Sequence, residues 1–219
     1  MSKNPSSWFT DNLSIAGFSA DLAAFTTCRE LIENAVDASR ASALKKIRIK
    51  LSEVEPNILE VAVLDWGKGM SSETVDSFTC LFESTAGSSH RPTTSNAEIQ
   101  AVGRFGVGLK LAAINSEIST GRALRVTSGG VSFSLHADRV EIIFPTEHFP
   151  ENPVTCVTAY AEISGNFRSQ FNEYFYEIKR NLGDYDLDIV GLTSAVSDEG
   201  VIIGTVTAEL NGAEFRVSA

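Results

Sequence analysis

The sequence predicts an α+β protein, in which a few helices accompany a larger number of strands. Apolar residues at positions 25, 28, 32, 35, 36 and 39 recur at helical spacing and indicate one long amphipathic helix. Segments 45–52 and 58–65 are apolar runs on either side of a turn, which is typical of two paired strands. Segments 122–128 and 131–137 flank a Ser-Gly-Gly turn and predict a hairpin.

An apolar arm, residues 4–18, leads into the long helix, residues 20–41. Large apolar side chains on a terminal arm need a partner surface, either the protein's own core or another subunit. The arm carries Trp8, Phe9, Leu13, Ile15 and Phe18. On the helix, Glu30, Asn34 and Asp37 fall at i, i+4 and i+7, opposite the apolar face. Thr26 is expected beside this polar row.

The rest of the chain alternates helical and strand patterns around one long polar segment. Residues 83–102 are rich in Ser, Thr, Gly and Asn and lack hydrophobic periodicity, which predicts a long functional or mobile loop. The other predicted elements are helices at 71–82, 107–117 and 168–181, strands at 140–144 and 154–163, and two or three strands beyond Asp186.

Composition narrows the possible settings. With 219 residues, 43% of them hydrophobic and 21% charged, the chain has the balance of a soluble globular protein. It has no signal-peptide core, and no apolar run approaches the roughly 18 residues that span a bilayer. Cys28, Cys80 and Cys156 are far apart in apolar surroundings. They predict reduced packing residues of an intracellular protein, in cytoplasm or nucleus.

The charge balance argues against a surface that binds DNA directly. The net charge is -10, and phosphate contacts need clustered Lys and Arg. The basic cluster at 45–50 alternates with Ile47 and Ile49, as expected for the solvated face of a half-buried strand.

Three stretches carry residues suited to nucleotide chemistry, and each has an ordinary structural alternative. The first is the row of Glu30, Asn34 and Asp37, whose hard oxygen atoms suit a cation and a water. It also fits the solvated face of an amphipathic helix. The second is Asp65, which ends a buried strand and can accept a hydrogen bond from an exocyclic amine. Gly67 and Gly69 would admit a flat ring, although a plain strand-to-helix turn uses the same residues.

The third stretch is glycine-rich and leads directly into a helix. Gly103, Gly106 and Gly108 precede or open that helix, and Lys110 lies in its first turn. Free N–H groups and the helix dipole make such a start an anion site. The spacing G-x-x-G-x-G, without Gly-Lys-Ser/Thr, is neither a Walker A loop nor a Rossmann fingerprint.

In this order, the three stretches and the intervening loop resemble the GHKL ATPases, which include gyrase-type topoisomerases, mismatch-repair ATPases, heat-shock chaperones and histidine kinases. The resemblance covers about residues 4–165 and implies a two-layer α+β sandwich, the Bergerat fold. Its sheet is mixed and mainly antiparallel, with helices on one face. It implies an N-terminal strap at 1–18, an ATP-binding core at 19–165 with a lid at 83–102, and a C-terminal segment at 166–219 that completes the domain.

The resemblance also implies residue roles. Glu30 would orient and polarise the attacking water, Asn34 would ligate Mg²⁺, and Asp65 would accept the adenine amine. Thr155 would support Asp65 through a water, although Val154 stands where the family usually has glycine. The other implied ATP contacts are Asp37, Gly67, Gly69, Met70, Gly103, Arg104, Phe105, Gly106, Val107, Gly108, Leu109 and Lys110.

Within the family, residues 8–18, 27–34 and 105–113 are most similar to the B subunit of topoisomerase VI. That likeness implies an ATP-dependent homodimer that gates DNA strand passage. Its partner would be a DNA-cleaving subunit of the topoisomerase VI A or Spo type, through which DNA is reached indirectly.

Two alternatives stay open. The first is a nucleotide-dependent dimerisation scaffold with little turnover, against which the presence of Glu30 argues. The second is a histidine kinase or chaperone ATPase, against which the strap argues. Nothing after Asn181 resembles the transducer domain of topoisomerase VI B. We therefore expect a fragment, a truncated relative or a stand-alone module, with slow or absent hydrolysis by this chain alone.

Overall fold

The computed structural model describes residues 13–70, 108–143 and 155–191, together with the backbone of strands 206–210 and 213–217. These residues contain three α-helices, α1 (Ala23–Ser39), α2 (Gly108–Thr120) and α3 (Phe167–Asn181), and a short 3-10 turn at Leu13–Ala16. The strands are β1 (Lys46–Glu55), β2 (Ile58–Asp65), β3 (Leu124–Ser128), β4 (Val131–Leu135), β5 (Val140–Ile143), β6 (Thr155–Glu162), β7 (Asp186–Gly191), β8 (Val206–Leu210) and β9 (Ala213–Val217).

Seven of these strands form one mixed sheet in the order β5-β4-β3-β6-β2-β1-β7. Every pairing is antiparallel except that of β1 with β7, which is parallel. Strands β8 and β9 form a separate antiparallel pair. Together with the helices on one face, this sheet confirms the predicted α+β sandwich.

The core lies between the sheet and the helices, because alternate strand residues point to the helical side. On β2, Leu59, Val61 and Val63 are buried on that side. The register places Val61 opposite Ala159 and Val63 opposite Val157, both on β6. Each large aliphatic side chain buried in this way contributes about 1.5–3 kcal/mol. Hydrophobic burial therefore fixes the register of the two strands, which places the last residue of β2 opposite the first residue of β6.

Helix α1 buries the face that its sequence pattern predicts. Cys28, Ile32 and Val36 are buried in the core. Thr26, which was expected beside the polar row, is instead buried, and its hydroxyl donates to the carbonyl of Gly17 at 2.7 Å. The turn before α1 therefore covers Thr26, whereas Glu30, Asn34 and Asp37 of the predicted row are partly exposed.

The arm finds part of its partner surface within the chain itself. Phe18 is buried in the core, and Leu13 packs against it. The arm residues Trp8 and Phe9 lie outside the described residues, as do the predicted helix at 71–82 and the predicted loop at 83–102.

Later elements also follow the sequence pattern. Helix α3 buries Phe171 and Phe175, while Tyr174 and Ile178 are half-buried against the same core. Three strands follow it, as predicted for the segment beyond Asp186. In the described part of the chain, no helix has the length and apolar character needed to cross a membrane.

The basic cluster on β1 has the structural role that its alternation indicates. Arg48 forms an ion pair with Asp188 of β7 at 2.9 Å. The ammonium group of Lys46 lies 4.6 Å from the ring centre of Trp66. Ile47, between them in sequence, is fully buried on the opposite face. The described cysteines, Cys28 and Cys156, are buried free thiols, in line with the predicted packing role.

Candidate functional site

The predicted site residues that the structure describes gather along α1. A Cβ atom on Gly108 would overlap Oε2 of Glu30, so the first residue of α2 lies directly against that carboxylate. Further along α1, the N–H of Lys68 donates to the carbonyl of Ala38 at 3.2 Å. A Cβ atom on Gly67 would lie 2.5 Å from the same oxygen. Helix α1 therefore connects two of the predicted stretches, which contact it about 12 Å apart along its axis.

The loop after β2 is held in one conformation by local hydrogen bonds. The N–H of Gly67 donates to Oδ1 of Asp65 at 2.9 Å. Ser42 donates its hydroxyl to the carbonyl of Trp66 at 2.8 Å, which ties the loop to the segment after α1. Gly69 has a φ of 72°, a left-handed conformation that favours glycine. The sequence Asp-x-Gly-x-Gly thus has a physical reason at both glycines.

Asp65 is a buried carboxyl group at the end of β2. Asp65 is only 3% exposed, and it lies opposite the buried Ile47 on β1. Burial raises the pKa of Asp65 to about 6, while the hydrogen bond from Gly67 acts in the opposite direction. An acceptor in this setting discriminates strongly, because leaving it unpaired costs about 1–3 kcal/mol. The site is suited to an amine donor such as the exocyclic group of a purine.

A row of three polar side chains crosses the sheet at this level. Thr155 on β6 lies opposite Asp65 on β2, and Ser128 on β3 lies opposite Thr155. The hydroxyl oxygens of Ser128 and Thr155 are 2.9 Å apart, and both residues are buried. The N–H of Met70 donates to Oγ of Ser128 at 2.9 Å. The row therefore joins the predicted Thr155 to the end of the glycine loop.

Ser128 contacts two of the predicted site residues, Met70 and Thr155, but the sequence patterns do not predict it. Leu124, Val126 and Ser128 face the core side of β3. A serine in the third position of this otherwise apolar series is the sequence feature that could indicate its role. The Ser-Gly-Gly sequence predicts only a hairpin turn. That turn is present, with positive φ values of 57° at Gly129 and 84° at Gly130.

The acidic row on α1 is half-buried, which differs from a fully solvated helix face. Arg29 forms an ion pair with Glu30 at 2.9 Å, and Arg40 forms one with Asp37 at 3.1 Å. Between them, Nδ2 of Asn34 is buried and has no hydrogen-bond partner within the described residues. A buried amide atom in this state is a candidate for contact with a ligand.

These residues fit a nucleotide-bound Mg²⁺ better than a protein-only metal centre. Among the described residues, no group of three or more His, Cys, Asp and Glu side chains could hold a metal ion. Mg²⁺ on a nucleotide takes one or two protein oxygens, the phosphates and several waters. Rotation of the Asn34 amide group by 180° exchanges its nitrogen and oxygen atoms. The oxygen then occupies the buried position without a partner and can bind the ion.

The glycine-rich stretch is described only at its end. Gly103, Arg104, Phe105, Gly106 and Val107 lie outside the described residues. Gly108 opens α2, and Leu109 is buried in the core. Lys110 is buried in the first turn, and burial lowers the pKa of its ammonium group. The amino end of α2 favours an anion, and it lies beside Glu30.

The fold and the candidate site combine a helical layer on one face of a mixed sheet, a buried acid at one strand end and a helix start that contacts Glu30. The family model of the histidine kinase-, DNA gyrase B- and HSP90-like ATPases matches residues 24–148, more than half of the chain. The protein belongs to this ATPase family, which confirms the GHKL resemblance. A comparison with curated proteins gave no match.

Proposed function

We propose that this protein binds ATP with Mg²⁺ along α1 and hydrolyses it. The observation that carries the proposal is the contact between Glu30 and Gly108, which brings an acid on α1 to the first residue of α2, a helix end whose N–H groups favour an anion. Membership of an ATPase family supports ATP as the ligand. The adenine amine donates to Asp65, and the phosphates lie at the start of α2, about 12 Å away along α1.

In this proposal, Glu30 is the catalytic residue. It orients the water and accepts its proton, a role typically worth about 10²–10⁴-fold in rate. Asn34 ligates Mg²⁺, which neutralises phosphate charge when bound. Thr155 supports the contact of Asp65 with the base, and Lys110 is a charge partner for the phosphates. The remaining proposed ATP contacts are Asp37, Gly67, Gly69, Met70, Gly103, Arg104, Phe105, Gly106, Val107, Gly108 and Leu109.

One observation favours the second candidate, a nucleotide-dependent scaffold with little turnover. The guanidinium group of Arg29 donates to Oε1 of Glu30 at 2.9 Å. That oxygen atom of Glu30 is occupied by the guanidinium group and is therefore less available to accept a proton from water. Slow turnover with tight binding would follow if this ion pair persists when ATP is bound.

Replacement of Glu30 with glutamine separates the two candidates. We expect Glu30→Gln to bind ATP with unchanged affinity and to lose at least about 100-fold in turnover, because the base is removed. Glu33→Gln is the matched control, since Glu33 is also paired with Arg29 and its side chain is 20% exposed, against 19% for Glu30. Equal low turnover in all three proteins, with binding retained, would support the scaffold instead.

We further propose that the chain is of the topoisomerase VI B type. Similarity at residues 8–18, 27–34 and 105–113 supports this assignment. The domain division follows from it: a strap at 1–18, a core at 19–165 with its lid at 83–102, and a completing segment at 166–219. ATP would drive homodimerisation, and a DNA-cleaving subunit would be the partner inside the cell.

Light scattering with a non-hydrolysable ATP analogue tests the dimerisation step. The expected mass is twice 23.6 kDa with the analogue and Mg²⁺, and 23.6 kDa without them. Asp65→Asn should stay at the lower mass under both conditions, because the analogue no longer binds. A mass that does not respond to the analogue would contradict the proposed gate, even if ATP binds.

A further inference from the structure

We propose that Ser128 is a positioning residue that sets the purine preference of this site. It does so by fixing the direction of a hydroxyl chain that ends beside Asp65. The inference rests on the proposed function, in which Asp65 receives the base. Neither the sequence argument nor the family match assigns a role to Ser128, which lies on β3, two strands away from Asp65.

The geometry places Ser128 where it can control both sides of the base site. Asp65, Thr155 and Ser128 occupy one row on β2, β6 and β3, on the helical face of the sheet. Directly opposed residues on neighbouring strands point to the same face. Met70 closes the loop that starts at Asp65, and its N–H is bound to Oγ of Ser128. The loop therefore spans three strands, about 10 Å, and is anchored at its far end by one hydroxyl.

The donor and acceptor properties of the groups at its two ends limit the directions that the chain can take. A backbone N–H can only donate, so Oγ of Ser128 is the acceptor in its bond with Met70. An ionised carboxylate can only accept, so Asp65 is the acceptor at the other end of the row. The bond between Oγ of Ser128 and Oγ1 of Thr155, 2.9 Å long, can have either direction. In the proposed arrangement Ser128 is the donor, which leaves the proton of Thr155 available to a base or a water bound beside Asp65.

This direction matches adenine and opposes guanine. Adenine presents an amine donor and a ring-nitrogen acceptor side by side, whereas guanine presents a carbonyl acceptor and a ring N–H donor. Asp65 is an acceptor, and Thr155, once it receives a bond from Ser128, is a donor towards the base or towards a water on it. Without Ser128, Thr155 can reverse its hydroxyl, and the polarity of the pair is no longer fixed.

The test compares ATP with GTP within each variant. We expect Ser128→Ala to weaken ATP binding by about tenfold, the effect of one lost hydrogen bond, while GTP binding changes little. The preference for ATP over GTP therefore falls by about the same factor. Ser128→Thr keeps the hydroxyl and should restore the preference. Because the ratio is taken within one protein, a smaller folded fraction does not change it.

The chain offers a matched control in the same hairpin. The hydroxyl groups of Thr127 and Ser132 are 2.8 Å apart on the opposite face of the sheet, away from the site. Ser132→Ala removes one hydroxyl group of this pair and should leave both affinities unchanged. Should Ser128→Ala fail to fold, Ser128→Cys takes its place, since a thiol has nearly the same shape and is a weak hydrogen-bonding group.

The outcomes distinguish this inference from the proposed function. An unchanged ATP-over-GTP ratio in the folded Ala or Cys variant, with normal ATP binding by the unmodified protein, overturns the role of Ser128 alone. Failure of the unmodified protein to bind ATP, or equal binding by Asp65→Asn, overturns the proposed function and this inference with it. A fall in the ratio that Ser128→Thr reverses supports both.

Discussion

Replacement of Asp65 with asparagine separates the binding role of this residue from its effect on folding. In the nucleotide-free protein, the carboxylate is buried in the row on the sheet, 3% exposed, and receives one hydrogen bond from the N–H of Gly67. A single donor does not replace the hydration that the charge loses on burial. The asparagine oxygen can keep the bond with Gly67, while the charge disappears. We therefore expect Asp65→Asn to stabilise the free protein and to abolish nucleotide binding.

The magnitude follows from the pKa of Asp65. Burial raises it from its ordinary value of 3.8 to about 6. One pKa unit corresponds to about 1.4 kcal/mol, so the ionised group lowers the free energy of unfolding by about 3 kcal/mol. A new amide N–H₂ without an acceptor offsets about 1 kcal/mol of the gain. The expected net stabilisation by Asp65→Asn is about 2 kcal/mol above pH 6.

The pH dependence has a definite sign. The folded protein binds a proton at Asp65 more tightly than the unfolded chain, so the contribution of this residue to stability falls as pH rises from about 4 to about 6. Above pH 6 the contribution is constant. The other titrating groups contribute equally to the free energy of unfolding of both proteins. Their contributions therefore cancel in the difference between Asp65→Asn and the unmodified protein.

Urea unfolding at pH 4.5, 5.5 and 7.5, monitored by circular dichroism, measures that difference. The stability gained by Asp65→Asn should rise from near zero at pH 4.5 to about 2 kcal/mol at pH 7.5. Isothermal titration calorimetry with ATP and Mg²⁺ should show loss of binding by the same variant. A variant that is less stable than the unmodified protein at neutral pH would refute the desolvation argument.

Two glycine replacements test the close contacts along α1. Gly67→Ala should destabilise the fold by about 2 kcal/mol or more, because its Cβ would lie 2.5 Å from the backbone oxygen of Ala38, which cannot move aside. Gly165→Ala, whose Cβ would have no atom within 4 Å, is the control, and equal melting temperatures in the two variants would contradict this reasoning. Gly108→Ala should fold normally but lose at least about tenfold in turnover, because only the flexible side chain of Glu30 has to move. ATP turnover is measured by phosphate release. Unchanged turnover in Gly108→Ala would contradict a catalytic role for Glu30.

Local patterns predicted most of the fold because burial repeats with the period of each element. The alternation of Leu59, Val61 and Val63 fixes the inward face of β2, and Asp65 follows as the next inward residue. The spacing of Cys28 and Ile32 does the same for α1. These signals depend only on neighbouring residues, so sequence reasoning reaches them directly.

The site required information that local patterns do not contain. Asp65, Thr155 and Ser128 form a row only because β6 lies between β2 and β3, an order set by long-range pairing. Thr26 has the spacing of the polar row, yet it is buried because the Gly17 turn folds back over it. The contact of Glu30 with Gly108 likewise joins two helices that are far apart in sequence. In each case tertiary contacts override the periodicity.

The position of β6 has a consequence for synthesis of the protein on the ribosome. Strand β6 pairs with β2 on one side and β3 on the other, yet it begins at Thr155, long after both neighbours have emerged. If the β1–β2 and β3–β4–β5 units form before then, β2 and β3 each present an unpaired edge to other nascent chains. Premature termination before Thr155 should therefore yield two half-sheets that aggregate, whereas completion of this strand closes both edges in one step.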